Sequence, residues 1–117
     1  MSQTAFVLVL SSDIPLGEAV RDQLRDRYDH SCRVSGSVEE AIESVRTRAP
    51  DAVAILTPID GDSIARLART IAQASGESVL ITPGGVDLGG LEVRVSELPE
   101  SQEPARLASA INGATDT

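Results

Sequence analysis

The stretch Ala52-Val-Ala-Ile-Leu-Thr57 decides the fold of this 117-residue chain. It is an uninterrupted apolar run rich in β-branched residues, with Pro50-Asp51 before it and the turn-forming Pro58-Ile59-Asp60-Gly61 after it. Such a run predicts a strand that is buried on both faces, as in a parallel sheet covered by helices. Thr57 is its last residue and its first polar one, at the end where open α/β sheets place their binding sites.

The composition limits the classes of function. The formal net charge is −8, from 10 basic against 18 acidic side chains, and all the basic residues are Arg. This excess of negative charge argues against direct binding of nucleic acid or of an anionic membrane by this segment. Aromatic residues make up only 2% of the chain, which also argues against a platform for base stacking.

The sequence also predicts where the protein resides. The single Cys32 excludes an internal disulfide and fits a reducing compartment. No apolar stretch approaches the length of a membrane span, and the first residues lack the basic segment of a signal peptide. We therefore predict a cytoplasmic location.

Predicted strands and helices alternate along the chain. Apolar runs predict strands at residues 5–10, 30–35, 52–57, 78–82 and 91–95, and helical spacing predicts helices at about 15–28, 38–49, 62–75 and 104–111. Because right-handed crossovers place helices on both faces of such a sheet, this order predicts a three-layer α/β/α, flavodoxin-like fold. The five parallel strands should then follow the order 2-1-3-4-5.

Residues that begin or interrupt helices refine this prediction. Ser37-Val-Glu-Glu40 predicts a capping box at the start of the second helix. Residues 83–90 hold four Gly and one Pro, so the helix expected between the fourth and fifth strands should be shortened or missing. We predict one domain over residues 1–112, followed by a tail or the start of a linker over residues 113–117.

With these elements in place, the chain resembles the receiver (CheY-like) domain of bacterial two-component response regulators over nearly its whole length. Phe6-Val-Leu-Val-Leu10 is similar to the first strand of that family, and residues 37–56 are similar to its second helix and third strand. Thr82 matches the hydroxyl residue that closes the fourth strand. Pro99 matches the Pro of the Lys-Pro pair that closes the fifth strand.

The departures from the family lie at its chemical site. Receivers hold Mg²⁺ with clustered carboxylates and take the phosphoryl group on an Asp. Here Ser11 and Ser12 stand at the acidic-pair positions, with only Asp13 behind them, the phosphoacceptor position falls on Leu56 or Thr57, and the Lys position falls on Leu98. The resemblance therefore implies a degenerate receiver that acts independently of phosphorylation, with no catalytic residue, metal or cofactor.

The resemblance also implies a partner. Sigma-54-dependent transcription regulators of the NtrC type carry a receiver at the amino terminus, so an output domain beyond Thr117 is expected. Signals would then pass by protein contact or by formation of a homodimer.

Two alternatives stay open at this stage. The hydroxyls of Ser11, Ser12, Thr57 and Thr82, with the Gly-rich loop, could form a binding site for a small molecule or an anion. A third hypothesis is a partner-switching protein phosphorylated by a kinase on Ser63 or Ser12.

Each singled-out residue also has a local interpretation. The strand-end hydroxyls more often bond to nearby backbone, and the carboxylates of Asp13, Asp60 and Asp62 more often cap helices than bind a cation. Cys32 should pack as a small apolar residue. His30 has no partner in the sequence that would make it a catalytic base. We find no catalytic constellation and predict that the chain is not an enzyme.

Overall fold

The computed structural model describes residues 5–57, 59–74, 78–83, 93–101 and 103–115. In these ranges five strands and four helices follow one another along the chain. They are β1 (Phe6–Leu10), α1 (Ile14–Tyr28), β2 (Ser31–Ser35), α2 (Val38–Thr47), β3 (Ala52–Ile55), α3 (Gly61–Ala74), β4 (Val79–Pro83), β5 (Arg94–Leu98) and α4 (Pro104–Thr115).

The strands form one parallel sheet in the order β2-β1-β3-β4-β5, which confirms the predicted flavodoxin-like topology. Side chains alternate across the sheet, so Val7 and Val9 pack on one face while Leu8 and Leu10 pack on the other. The first face is covered by α1 and α4 and the second by α2 and α3. All four residues of β3 are buried, as the central position predicts.

The helix caps follow from local sequence. The Asp13 carboxylate accepts a hydrogen bond from the Leu16 N–H at 3.2 Å and caps α1, and Asp29 ends this helix in the left-handed region at φ 59°. Ser37 Oγ accepts from the Glu40 N–H at 3.3 Å, as the capping box predicts. The returning bond differs, because Glu40 accepts from the N–H of Gly36, at 3.0 Å, and not from that of Ser37.

The structure corrects two predicted boundaries. The last strand lies at Arg94–Leu98 and continues past the predicted end at residue 95, because its register is set by pairing with β4, in which Pro83 lies opposite Leu98. Residues 91 and 92 of the predicted strand lie outside the described residues. The third strand ends at Ile55, two residues before Thr57, although the Leu56 N–H still donates to the Leu10 carbonyl at 2.9 Å.

The predicted end of the last helix at residue 111 is also wrong, because α4 continues to Thr115. Ala114 packs against the core, and Thr115 Oγ1 donates to the Ile111 carbonyl at 2.7 Å. Packing and this bond outweigh the low helix propensity of Gly113. A linker to a following domain stays a prediction, and the shortened or missing helix falls on residues 84–92, outside the described residues.

Two glycines in helices offer a matched pair of stability tests. A Cβ on Gly17 would lie 2.9 Å from Val34 Cγ1 and 3.3 Å from Ser11 Cβ, whereas one on Gly113 would meet nothing within 4 Å. We expect Gly17→Ala to lower the free energy of unfolding by about 1 kcal/mol, because crowding outweighs the gain in helix propensity.

The same change at Gly113 should raise the free energy of unfolding by about 0.5 to 1 kcal/mol, because the helix gains propensity at no steric cost. Urea unfolding of both variants measures the two effects. Stabilisation by Gly17→Ala would contradict the close approach of α1 to the sheet.

Candidate functional site at the carboxyl edge of the sheet

The predicted site residues follow strands that end at one edge of the sheet. The strand order reverses between β1 and β3, and open α/β sheets bind ligands in the crevice at such a reversal. Ser11 and Ser12 follow β1, Leu56 and Thr57 follow β3, Thr82 lies in β4, and Leu98 and Pro99 close β5. The sequence prediction therefore selects residues that the fold brings to the same edge.

The hydroxyls at the reversal point are bonded to the chain itself. Thr57 Oγ1 accepts a hydrogen bond from the Ser12 N–H at 3.0 Å and joins the β1 and β3 ends. Ser11 is fully buried, and its hydroxyl donates to the Asp13 carbonyl at 2.7 Å. The Ser11 N–H donates to the Ser35 carbonyl at 3.0 Å. The Ser11 bond closes a turn, as the local interpretation predicts, whereas the Thr57 hydroxyl meets backbone that is nearby only in the fold.

The carboxylates near this edge serve as helix caps. Asp13 caps α1, and Asp60 accepts from the Ser63 N–H at 2.8 Å at the start of α3. The Ser63 hydroxyl and N–H both donate to Asp60 and hold the pKa of this exposed carboxyl below its usual value. Ser63 is thus engaged in the cap, which weakens the case for it as a kinase target.

The donor set does not fit the Mg²⁺ that receivers hold. Mg²⁺ takes oxygen ligands in near-octahedral geometry and is bound through carboxylates. Within the described ranges, no group of three His, Cys, Asp or Glu side chains is arranged to hold a metal ion. At the β1 and β3 ends the polar groups are two serines, a threonine and the capping Asp13, so no step of phosphoryl transfer can be assigned to them.

Apolar residues occupy the centre of this edge. Leu98, at the family's Lys position, is 2% exposed and belongs to the core cluster under α1 and α4, and Leu56 packs against the same cluster. Thr82 is 2% exposed, and Pro99 is exposed. A cavity of about 450 Å³ opens here, lined by Leu56, Pro83, Leu98, Pro99, Glu100, Ser101 and Leu107. The arrangement can receive an apolar group, and it has Leu56, with no carboxylate, after the end of β3.

His30 lies at the opposite end of the fold, and it has the partners that the sequence does not reveal. Its ring is buried, Nδ1 accepts from the Ala5 N–H at 3.1 Å, and Nε2 lies 2.8 Å from Asn112 Oδ1. Because Nδ1 is an acceptor, the proton resides on Nε2, which donates to Asn112. Neither partner would make His30 a catalytic base, and the role of His30 is to tie α4 to the start of β1.

Cys32 is half-buried on the edge strand β2 and packs against the core cluster, as predicted. Burial raises the pKa of its thiol to about 12, and the nearby Arg21 and Arg25 only partly oppose this rise. A protonated thiol is a poor nucleophile and metal ligand. Cys32 therefore contributes packing and not chemistry.

Comparison with known proteins identifies the fold. The sequence matches no protein-family model and no curated protein sequence. Solved structures do match, among them several at 13% to 20% identity. The beryllofluoride-activated NtrC receiver domain is 16% identical, with a TM-score of 0.71 over 97% of this chain and 96% of that chain. A response regulator receiver protein from Sinorhizobium medicae WSM419 is 19% identical, with a TM-score of 0.65 over 98% and 97%.

A third match is NtrX from Brucella abortus, which is 16% identical with a TM-score of 0.60, over 97% of this chain and only 28% of that chain. The chain thus has the five-stranded fold of response-regulator receiver domains. None of the helices in the described part of the chain is long and apolar enough to cross a membrane.

Proposed function

We propose that this chain is a signalling domain of the receiver type that works without phosphorylation and controls a partner by protein contact. One observation carries the proposal: a receiver fold in which Leu56 and Leu98 line an apolar cavity at the edge where receivers carry their phosphorylation site. The fold supports a role in signalling, and Leu56 and Leu98 stand at two positions of this edge where phosphoryl transfer needs a nucleophile and a cation.

The chemistry of phosphoryl transfer supports this view. The reaction needs an oxygen nucleophile and cations that neutralise charge on the transferred group. Leu56 offers no nucleophile, and the Thr57 hydroxyl is engaged as acceptor from the Ser12 N–H. Leu98 has no charge to pair with a phosphoryl group. Signals would instead pass through the surface of the domain.

The partner would be an output domain that follows Thr117, in a cytoplasmic regulator of transcription of the NtrC type. The NtrX structure is a chain more than three times as long as its matching part, which supports such an arrangement. In this proposal the receiver-like domain, predicted for residues 1–112, extends to the end of α4 at Thr115, and α4 is the last element before the output domain. A homodimer of the domain is an additional way to pass the signal.

Incubation with acetyl phosphate and Mg²⁺, read by intact mass, tests the proposal. We expect no phosphoryl adduct, because no carboxylate nucleophile stands at the end of β3. A receiver domain that keeps its acceptor Asp serves as the positive control in the same reaction. A stoichiometric, acid-labile adduct on this chain would overturn phosphorylation independence.

The cavity at the carboxyl edge favours a second candidate, a domain that binds a small apolar molecule. Its volume of about 450 Å³ lies in the range of ligand pockets. A ligand present at 100 times its dissociation constant should stabilise the fold by about 2.7 kcal/mol, which a thermal-shift screen detects. Substituting Leu56 by Phe would fill the cavity and should abolish any such shift. A shift that persists in this variant would place the ligand elsewhere.

A further inference from the structure

The groove between α2 and α3 concentrates positive charge in an acidic protein. Arg46 of α2 lines it together with Arg66 and Arg69 of α3, and its volume is about 310 Å³. Three of the ten basic residues therefore meet at one groove, although the chain carries a net charge of −8. The groove lies on the face of α2 and α3, away from the carboxyl-edge cavity at β3, β4, β5 and α4.

Helical spacing explains why these side chains converge. On α3, Arg69 lies three residues after Arg66 and Gln73 lies seven residues after it, so the three side chains share one face. On α2, Arg46 lies one turn beyond Ile42 and faces the same groove. The sequence alone contains this spacing, but only the packing of α2 beside α3 brings the two helices' arginines together.

The guanidinium groups are available to a ligand. In the described part of the chain, no carboxylate forms an ion pair with Arg46 or Arg69. Arg66 lies 3.9 Å from Glu39, and both side chains are more than half exposed. An exposed ion pair of this kind contributes little to stability, so the Arg66 guanidinium readily leaves Glu39 for a stronger partner.

The base of the groove is nearly closed to solvent. Ile42 and Thr70 are buried there, 7% and 8% exposed, and the Thr70 hydroxyl already donates to the Arg66 carbonyl at 2.9 Å. Neither residue supplies a free donor to an anion. The guanidinium groups of Arg46, Arg66 and Arg69 are therefore what the groove offers to an anion.

We propose that this groove is a binding site for a diphosphate-bearing small molecule. A guanidinium presents a fork of donors that matches phosphate oxygens in bidentate fashion, and three of them balance the charge of a diphosphate. The volume of about 310 Å³ suits a small anion better than a folded partner. The site goes beyond the proposed signalling role and holds whether or not the domain takes up a phosphoryl group.

Calorimetric titration of the whole chain with sodium pyrophosphate at about 0.15 M NaCl tests this site. We expect saturable binding of one pyrophosphate per chain. The double substitution Arg46→Gln with Arg69→Gln should weaken it about 100-fold, because two charge-assisted contacts are lost. These side chains are exposed, and circular dichroism checks that the variant keeps its fold.

The matched control changes the same charge elsewhere. Arg21 and Arg25 lie on α1, on the other face of the sheet, and both pair with Asp22. Arg21→Gln with Arg25→Gln should leave pyrophosphate binding within about 2-fold of the wild type, because exposed charges farther away than a Debye length are screened. Glu39→Gln should tighten binding about 3-fold by freeing Arg66 from its competitor.

Three results would overturn the proposal. They are the absence of saturable binding, an equal loss in both arginine pairs, and tighter binding of a hexaglutamate peptide than of pyrophosphate with the same dependence on Arg46 and Arg69. The last result would assign the groove to an acidic protein segment.

Discussion

Replacing His30 by Leu lowers the free energy of unfolding by about 2 to 4 kcal/mol in urea denaturation at pH 7. The ring is 6% exposed and makes two hydrogen bonds, to the Ala5 N–H and to Asn112 Oδ1. Leu fills similar space but leaves both partners unsatisfied in a partly buried place. An unsatisfied polar group of this kind costs more than the bond itself contributes.

A double-mutant cycle separates the His30–Asn112 contact from general packing. Asn112→Ala alone should cost about 1 kcal/mol, and the double variant should cost less than the sum of the two single changes. The coupling should reach about 1 kcal/mol, because the two side chains are in direct contact at 2.8 Å. Strict additivity, or a loss below about 0.5 kcal/mol for His30→Leu, would contradict the bridging role.

Cys32 in the folded protein should react with iodoacetamide about 1,000-fold more slowly at pH 8 than in the unfolded chain. The thiol pKa rises from 9.0 to about 12 on folding, and alkylation proceeds through the thiolate. At pH 8, a rise of about three units in the thiol pKa reduces the thiolate fraction by a factor of about 1,000. Intact mass over time, in buffer and in about 8 M urea, measures the two rates.

The same shift in the pKa of Cys32 makes the free energy of unfolding depend on pH in the alkaline range. Below pH 9 the thiol is neutral in both the folded and the unfolded chain, so its burial costs no ionisation energy. Above pH 9 the thiol ionises in the unfolded chain before it does in the folded one, which favours unfolding. The contribution of Cys32 to stability is therefore lost progressively as the pH rises from 9 towards 12. Cys32→Ala should lack this part of the alkaline loss. Equal alkylation rates in the folded and unfolded chains would show that the thiol is ionised and accessible in the fold.

Local sequence was sufficient for the elements whose signals lie within a few residues. Ser37 and Glu40 predicted the start of α2, and the apolar run from Ala52 predicted the buried central strand. The same logic failed for β5, because its alternating pattern begins before the segment that pairs with β4. Register in an edge strand depends on the neighbouring strand, which a linear pattern does not contain.

The candidate site was predicted only in part, and for a physical reason. Resemblance placed Ser11, Leu56, Thr57 and Leu98 at strand ends, and the fold places them at one edge. The sequence did not reveal that Thr57 bonds to the Ser12 N–H, that His30 bonds to Asn112, or that Arg46 lies across a groove from Arg69. These contacts join residues between 23 and 82 positions apart, and the distance along the chain is what hides them.

The sequence by itself determined the alternation of strands and helices, because hydrophobic periodicity is imposed residue by residue on each element. It also determined the absence of a carboxylate at the end of the central strand, since the sequence has Leu56 and Thr57 at these positions. The tertiary structure alone decided what the remaining groups do. Packing brings the Thr57 hydroxyl to the Ser12 N–H, and it brings three arginines that are separate in the sequence to one groove. Contacts of this kind depend on how whole elements dock, and docking is set by the core that all of them share.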